Sequence, residues 1–201
     1  AGKPIIQYVL DKVFLSSIEN INISVHYKHE LISDFIKKIN VKKEINIINE
    51  NEPLGTIGAL GLIANKSYDS FLVLNADVIT ELPLNEFIVF HNDNKNDITI
   101  GAAIHEFEIP YGVIKYDELG KFYSISEKPI IKNLVSAGIY LISKKSSLLI
   151  PKNKYMDMPE FVELAKRAGL KVGVFPVYEY WTDVGLPEAL TKANNKFNQN
   201  N

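Results

Sequence analysis

The chain of 201 residues contains no cysteine. That absence excludes zinc-finger sites, iron–sulfur clusters, thiol nucleophiles and a disulfide framework. Arginine is nearly absent as well, since the only one is Arg167 among 22 Lys plus Arg. Lysine is a flexible point charge and arginine a planar fork. The Lys-, Ile- and Asn-rich character is read as compositional bias rather than chemistry. No apolar run approaches the roughly 20 residues of a membrane span, and no basic segment followed by an apolar one opens the chain, so no signal peptide is expected. Net charge is −2 with a pI near 6.1. A broad electrostatic grip on nucleic acid is therefore not expected, and neither is a membrane partner. What is present is ordinary: 46% hydrophobic and 23% charged residues, enough to bury a core without staples. A cytoplasmic globular chain of one domain is expected.

The hydrophobic spacing alternates between two periods. Ile5, Ile6, Val9, Leu10, Val13, Phe14, Ser17 and Ile18 fall at helical intervals, and Pro4 suits a helix start. Residues 21–25 read as a strand, 29–38 as a helix and 44–48 as a strand. Thr56 is placed to cap a helix over 57–64. Phe71-Leu72-Val73-Leu74 is a continuous apolar run, expected to be a central, doubly covered parallel strand. This alternation predicts a parallel α/β sheet. A strand before residue 1 would complete it, so the chain is expected to be a fragment. In the second half, residues 98–104, 112–116, 122–126, 134–142 and 172–175 read as strands, with a hairpin turn at 117–120. Residues 158–168 read as a helix stopped by Gly169, and 187–195 as a closing helix with a frayed tail from about 196.

Several segments can carry chemistry. Asn75-Ala76-Asp77 follows an apolar strand, where ligands of open α/β sheets sit. Asp77 there suits a metal ion or a ligand hydroxyl, or equally a turn or helix cap. Asp183, in Tyr180-Trp181-Thr182-Asp183-Val184-Gly185, is a second rigidly placed carboxylate, or the cap of the final helix. Two such carboxylates are the minimal equipment for Mg²⁺, which takes one or two carboxylates plus phosphate oxygens and waters. Pro53-Leu54-Gly55-Thr56-Ile57-Gly58 is a Gly-containing turn opening a helix, whose N–H groups can approach a flat ligand or phosphate. It matches neither a dinucleotide fingerprint nor a Walker loop. Glu127-Lys128 ends a strand and offers an anion beside a cation, though exposed pairs of this kind are common. Gly138 lies inside a strand, which marks close backbone approach or a kink. His26, His29, His91 and His105 show no ligand spacing, and no nucleophile-elbow sequence is present.

The order of these pieces is more specific than any one of them. Gly2-Lys3-Pro4-Ile5, Glu52-Pro53-Leu54-Gly55-Thr56, Asn75-Ala76-Asp77, Pro110-Tyr111-Gly112-Val113, Glu127-Lys128-Pro129, Ala137-Gly138-Ile139-Tyr140 and Tyr180–Gly185 follow one another over nearly the whole chain. In that order they resemble the sugar-1-phosphate nucleotidylyltransferases, in the flavour of a bacterial guanylyltransferase-type branch that activates sugars for surface glycans. The resemblance implies a Rossmann-like three-layer α/β sandwich with a mixed, mainly parallel central sheet. It also implies that the family's first strand and Gly-rich triphosphate loop lie upstream of Ala1. It implies transfer of a nucleotidyl group from an NTP, GTP by preference, to a sugar-1-phosphate. Asp77 and Asp183 would hold Mg²⁺; Leu54, Gly55 and Thr56 would frame the base; Gly112, Glu127 and Gly138 would line the sugar site; Lys128 would meet the sugar phosphate. With Asp77 and Asp183, Lys128 completes the expected catalytic set. An upstream CBS-type regulatory pair and a homo-oligomer are further expectations. Two departures stand out: Ala76 replaces the usual Gly, and Ser136 the usual Asn. They leave room for a non-catalytic nucleotide-sugar-binding relative. A metal-dependent glycosyltransferase fits less well, because Asp77 is followed by Val78-Ile79-Thr80 rather than a second near acid.

Overall fold

A computed structural model describes residues 3–185. The expected closing helix and tail fall outside those residues. The first elements alternate as the periodicity requires: α1 Ile5–Phe14, β1 Asn20–Val25, α2 His29–Lys37 and β2 Glu44–Asn49. β1 and β2 pair in parallel, Asn20 opposite Glu44. α3 is only the turn Gly55–Gly58, running into a 3-10 turn at Ala59–Leu62. Thr56 therefore sits inside this short helix rather than capping a longer one. β3 Ser70–Leu74, β4 Val78–Thr80 and α4 Leu84–Asp93 follow, then β5 Ile98–Glu108, β6 Val113–Tyr116, β7 Phe122–Ser126 and β8 Ile130–Ser143. The chain continues through α5 Lys144–Ser147, α6 Met158–Arg167, β9 Val172–Val177 and β10 Trp181–Asp183. Gly169, at φ 75°, takes the left-handed conformation just past α6, which ends the helix as expected.

The main sheet has the order β3-β8-β5-β9. β8 runs antiparallel to both β3 and β5, while β5 and β9 are parallel. β3, β5 and β9 thus share one direction and β8 opposes them, so the sheet is mixed. The expectation for Phe71–Leu74 is corrected here: its described partner is the antiparallel β8. The coverage of β3 on both faces is as expected, with Leu72 and Leu74 against one core and Phe71 and Val73 against the other, and β8 beside it is covered in the same way. Its odd positions Ala137, Ile139 and Leu141 enter a core with Leu10 and Val13 of α1 and Phe87 of α4. Its even positions Tyr140 and Ile142 enter a second core with Ile57 of α3 and Met158, Phe161 and Ala165 of α6. Period two with both faces apolar gives an unbroken run, which does not reveal strand direction. Helices on each face of one sheet make the three-layer sandwich.

β5 and β8 outrun their neighbours. β9 pairs with β5 only as far as Ala103, whereas the β5–β8 ladder reaches Glu108 opposite Ile130. This two-stranded arm carries the β6–β7 hairpin. Its turn is fixed by Asp117, whose Oδ1 accepts from Leu119 N at 3.0 Å and Lys121 N at 2.9 Å.

One buried polar cluster ties α4 to the sheet. His91 Nδ1 lies 2.8 Å from Thr99 Oγ1, and Asn96 Nδ2 donates to the same oxygen at 3.0 Å. Burial pushes the His91 pKa below the ordinary histidine value, and Asp97 only partly opposes that. Below the ordinary value the unfolded chain takes up a proton that folded His91 resists. Stability therefore rises with pH between the lowered pKa and about 6.5. Chemical unfolding at pH 5 and pH 7.5 is expected to show a loss at the lower pH that shrinks in His91→Gln.

Candidate active site

Two strand ends bring Asp77 and Asp183 together. The chain leaves β3 through a tight turn in which Val78 N donates to Asn75 O at 3.3 Å, and Asp77 is in that turn. β4 then pairs antiparallel with β10, placing Asp183 opposite Val78, and Val184 N donates to Asp77 O at 2.9 Å. Glu81 N extends this pairing by donating to Tyr180 O at 2.8 Å, and Trp181 Nε1 ties β10 to β8 by donating to Ala137 O at 2.8 Å. The result is convergence on Gly185. A Cβ at that position would lie 3.0 Å from Asp183 Oδ1 and 3.2 Å from Asp77 Oδ2. Both carboxylates face one small space that a glycine keeps open. Asp183 is exposed and Asp77 half-buried. Asp77 caps no described helix, which disposes of its capping alternative. Asp183 Oδ1 accepts from Gly185 N at 2.8 Å. Like charges this close repel unless a cation lies between them. Among the described residues no group of three or more His, Cys, Asp or Glu gathers to hold a metal.

Gly138 borders this turn. Its φ is 68°, and a Cβ there would lie 2.9 Å from both Asn75 Nδ2 and Val78 Cγ2. Asn75 N also donates to Gly138 O at 2.9 Å. The close approach expected at Gly138 is thus to the residues flanking Asp77. Next to it, Ser136 Oγ is 2.6 Å from Tyr140 OH. Gly112 and Glu127 form a second cluster at the open end of the β6–β7 hairpin, where a Cβ on Gly112 would lie 3.1 Å from Glu127 Oε2. Lys128 follows, exposed and with a left-handed backbone at φ 44°. No described ion pair uses its ammonium.

Leu54, Gly55 and Thr56 form a third cluster, after the carboxyl end of β2. Of the N–H groups expected to approach a flat ligand or phosphate, three are bonded inside the protein. Leu54 N donates to Glu50 Oε2 at 2.8 Å, Thr56 N to Asp157 Oδ1 at 3.1 Å and Ile57 N to Met156 O at 3.2 Å. These three donors are already used inside the protein. Asp157, Asn75, Trp181 and Gly185 are site elements to which the sequence assigned no role. Asp157 before Met158-Pro159 reads as an ordinary cap of its own helix. The bond from Trp181 to Ala137 spans 44 positions and leaves no local signal.

All three clusters follow or face the carboxyl ends of β2, β3 and β5, the ligand-binding side of an open α/β sheet. A family model described as Nucleotidyl transferase matches residues 1–200. The chain belongs to the nucleotidyl transferase family. Mannose-1-phosphate guanylyltransferase 1 of Arabidopsis thaliana is 32% identical to it over 197 residues, covering 93% of this chain and 54% of that protein. Mannose-1-phosphate guanyltransferase of Yarrowia lipolytica is 34% identical over 196 residues, covering 93% and 53%. The chain thus spans about half the length of these curated relatives. The crystal structure of HddC from Yersinia pseudotuberculosis complexed with GMP-PN superimposes with a TM-score of 0.71 at 28% identity, covering 98% of this chain and 86% of that one. No described helix is long and apolar enough to cross a membrane.

Proposed function

We propose that residues 1–201 act as one nucleotidyltransferase domain that makes a nucleotide-activated sugar. A phosphate oxygen of a sugar-1-phosphate attacks the α-phosphorus of an NTP in line. The bond from that phosphorus to the bridging oxygen breaks, and pyrophosphate leaves. No covalent intermediate on the protein is required, so catalysis consists of positioning and charge neutralisation. The observation that carries this reading is the convergence of Asp77 and Asp183 beside Gly185.

Two carboxylates with room for phosphate oxygens and water suit magnesium, and Asp77 with Asp183 would hold it. Bound there, the ion would supply neutralisation of phosphate charge and a common anchor for both substrates. Lys128, whose ammonium has no ion pair among the described residues, would meet the sugar phosphate. Glu127 would accept from sugar hydroxyls, and Gly112 would let the sugar lie close to the backbone. Leu54, Gly55 and Thr56 would frame the base, and Gly138 would border the sugar. Guanine is the favoured base, because the similar curated proteins are named guanylyltransferases and HddC was solved with GMP-PN. A cytoplasmic setting belongs to the same reading, since the reaction draws on an NTP pool.

The test is pyrophosphate release by the full-length gene product with Mg²⁺, GTP and a panel of hexose- and heptose-1-phosphates. Turnover with at least one sugar phosphate is expected, and none with any NTP across the panel overturns the proposal. The second reading is a nucleotide-sugar-binding relative without chemistry. It is favoured by Ser136, whose hydroxyl is engaged with Tyr140 instead of reaching outward. It predicts GDP-sugar binding by calorimetry with no turnover.

A further inference from the structure

The turn Leu54-Gly55-Thr56 does not hold its own shape. α3 has four residues, Gly55–Gly58, too few for a helix to persist unaided. It is gripped by a segment a hundred positions away. Asp157 occupies the N-cap of α6, yet its side chain makes no cap bond to that helix. Its Oδ1 accepts instead from Thr56 N at 3.1 Å and from Thr56 Oγ1 at 3.3 Å. Thr56 Oγ1 in turn accepts from Met158 N, the first N–H of α6, at 2.7 Å. The two helix starts have exchanged caps, each satisfying a donor of the other. The backbones interlock as well, Met156 N donating to Leu54 O at 3.0 Å. Gly55, at φ 75°, lies so close that a Cβ would be 2.5 Å from Met156 O. Asp157 itself is braced by Tyr155, whose hydroxyl donates to Oδ2 at 2.6 Å.

We infer that Asp157 is a positioning residue for the nucleotide, holding the Gly55–Thr56 edge of the base site through this exchanged cap. The inference rests on the reading of Leu54–Thr56 as the base frame. Three properties of the exchange favour a role in placement over simple stability. It acts on a helix of a single turn. It fixes both bonds of one hydroxyl, so Thr56 cannot rotate away. It is exposed, with Asp157 half-buried and Thr56 and Tyr155 on the surface, where a hydrogen bond adds little to global folding. The Tyr155 and Thr56 bonds hold the Asp157 carboxyl below the usual carboxylate range, which keeps the acceptor ionised.

The experiment uses the full-length gene product, with KM and kcat measured for GTP and for the sugar phosphate it turns over, and the Kd for GTP measured by calorimetry. Asp157→Ala is expected to raise KM and Kd for GTP about tenfold, with kcat and the sugar-phosphate KM changed less than twofold. Asp157→Asn keeps an acceptor at Oδ1 and is expected to recover most of the loss. Tyr155→Phe is expected to shift GTP affinity in the same direction by less. Unchanged GTP affinity in Asp157→Ala overturns the inference, as does a parallel loss for both substrates. Gly55→Ala separates the two readings. If it weakens GTP binding while Asp157→Ala does not, the base frame stands and the positioning role falls. If neither weakens GTP, the base frame itself is wrong and the inference falls with it.

Discussion

Asp77→Asn and Asp183→Asn are each expected to lower turnover by roughly a hundred- to a thousandfold, the size of effect seen when a preorganised charge-stabilising group is lost. Asparagine keeps the volume and removes the charge, so the effect isolates electrostatics from packing. The convergence of Asp183 Oδ1 and Asp77 Oδ2 at Gly185 makes two further outcomes specific. The double variant is expected to be no worse than the poorer single one, because groups acting on one centre are not additive. Neither single variant is expected to unfold more easily, since removing one of two facing negative charges relieves repulsion in the ligand-free protein. Pyrophosphate release and a thermal melt on the same preparations check both. Additive losses would place the two carboxylates in separate tasks. A lower melting point would mean that bonds such as Gly185 N to Asp183 Oδ1 outweigh the repulsion in the free protein.

The sequence carried this pair well and their surroundings poorly, and the reason is physical. Asp77 follows an apolar run, and strand ends are where α/β sheets place ligands. Asp183 sits after Trp181, at the end of a short apolar, aromatic stretch. What brings them together is a three-residue pairing, β4 with β10, and strands that short have too few residues for periodicity to register. α4 was legible in retrospect: Leu84, Phe87, Ile88 and His91 fall at helical spacing after Pro83, but a histidine at the last position blurs the apolar stripe. It faces inward because Thr99 Oγ1 gives its ring a partner. The expected pairing of β3 differs because burial on two faces and parallel pairing usually coincide, whereas here the antiparallel β8 lies beside it. Asp157 was invisible for a different reason. Its bonds cross 101 positions to Thr56, and nothing local distinguishes a cap given to a neighbouring helix from one given to its own.

Gly138→Ala is expected to cost both stability and activity, and the order of the two losses tests how the site is supported. Gly138 holds φ at 68° inside β8, between Ala137 and Ile139, which are fully buried. An L-residue in that region costs about 1–2 kcal/mol. The new methyl would also lie 2.9 Å from Asn75 Nδ2 and from Val78 Cγ2, and crowding of this kind in a packed interior costs about 1–3 kcal/mol. The combined effect is a large share of a typical domain stability of about 5–15 kcal/mol. Relief has to come from the neighbours, and those neighbours bracket Asp77. Turnover should therefore fall further than the folded fraction does, because the surviving folded molecules hold Asp77 out of place. Gly101→Ala is the control. Its Cβ would meet Ile139 Cβ at 3.2 Å with no positive φ and no contact with the Asp77 turn, so a smaller drop in the denaturant midpoint with near-normal turnover is expected. A Gly138→Ala protein with an unchanged midpoint would show that the turn yields freely. In that case the placement of Asp77 would come from β10 alone, and the burden would move to Trp181 and its bond to the Ala137 carbonyl.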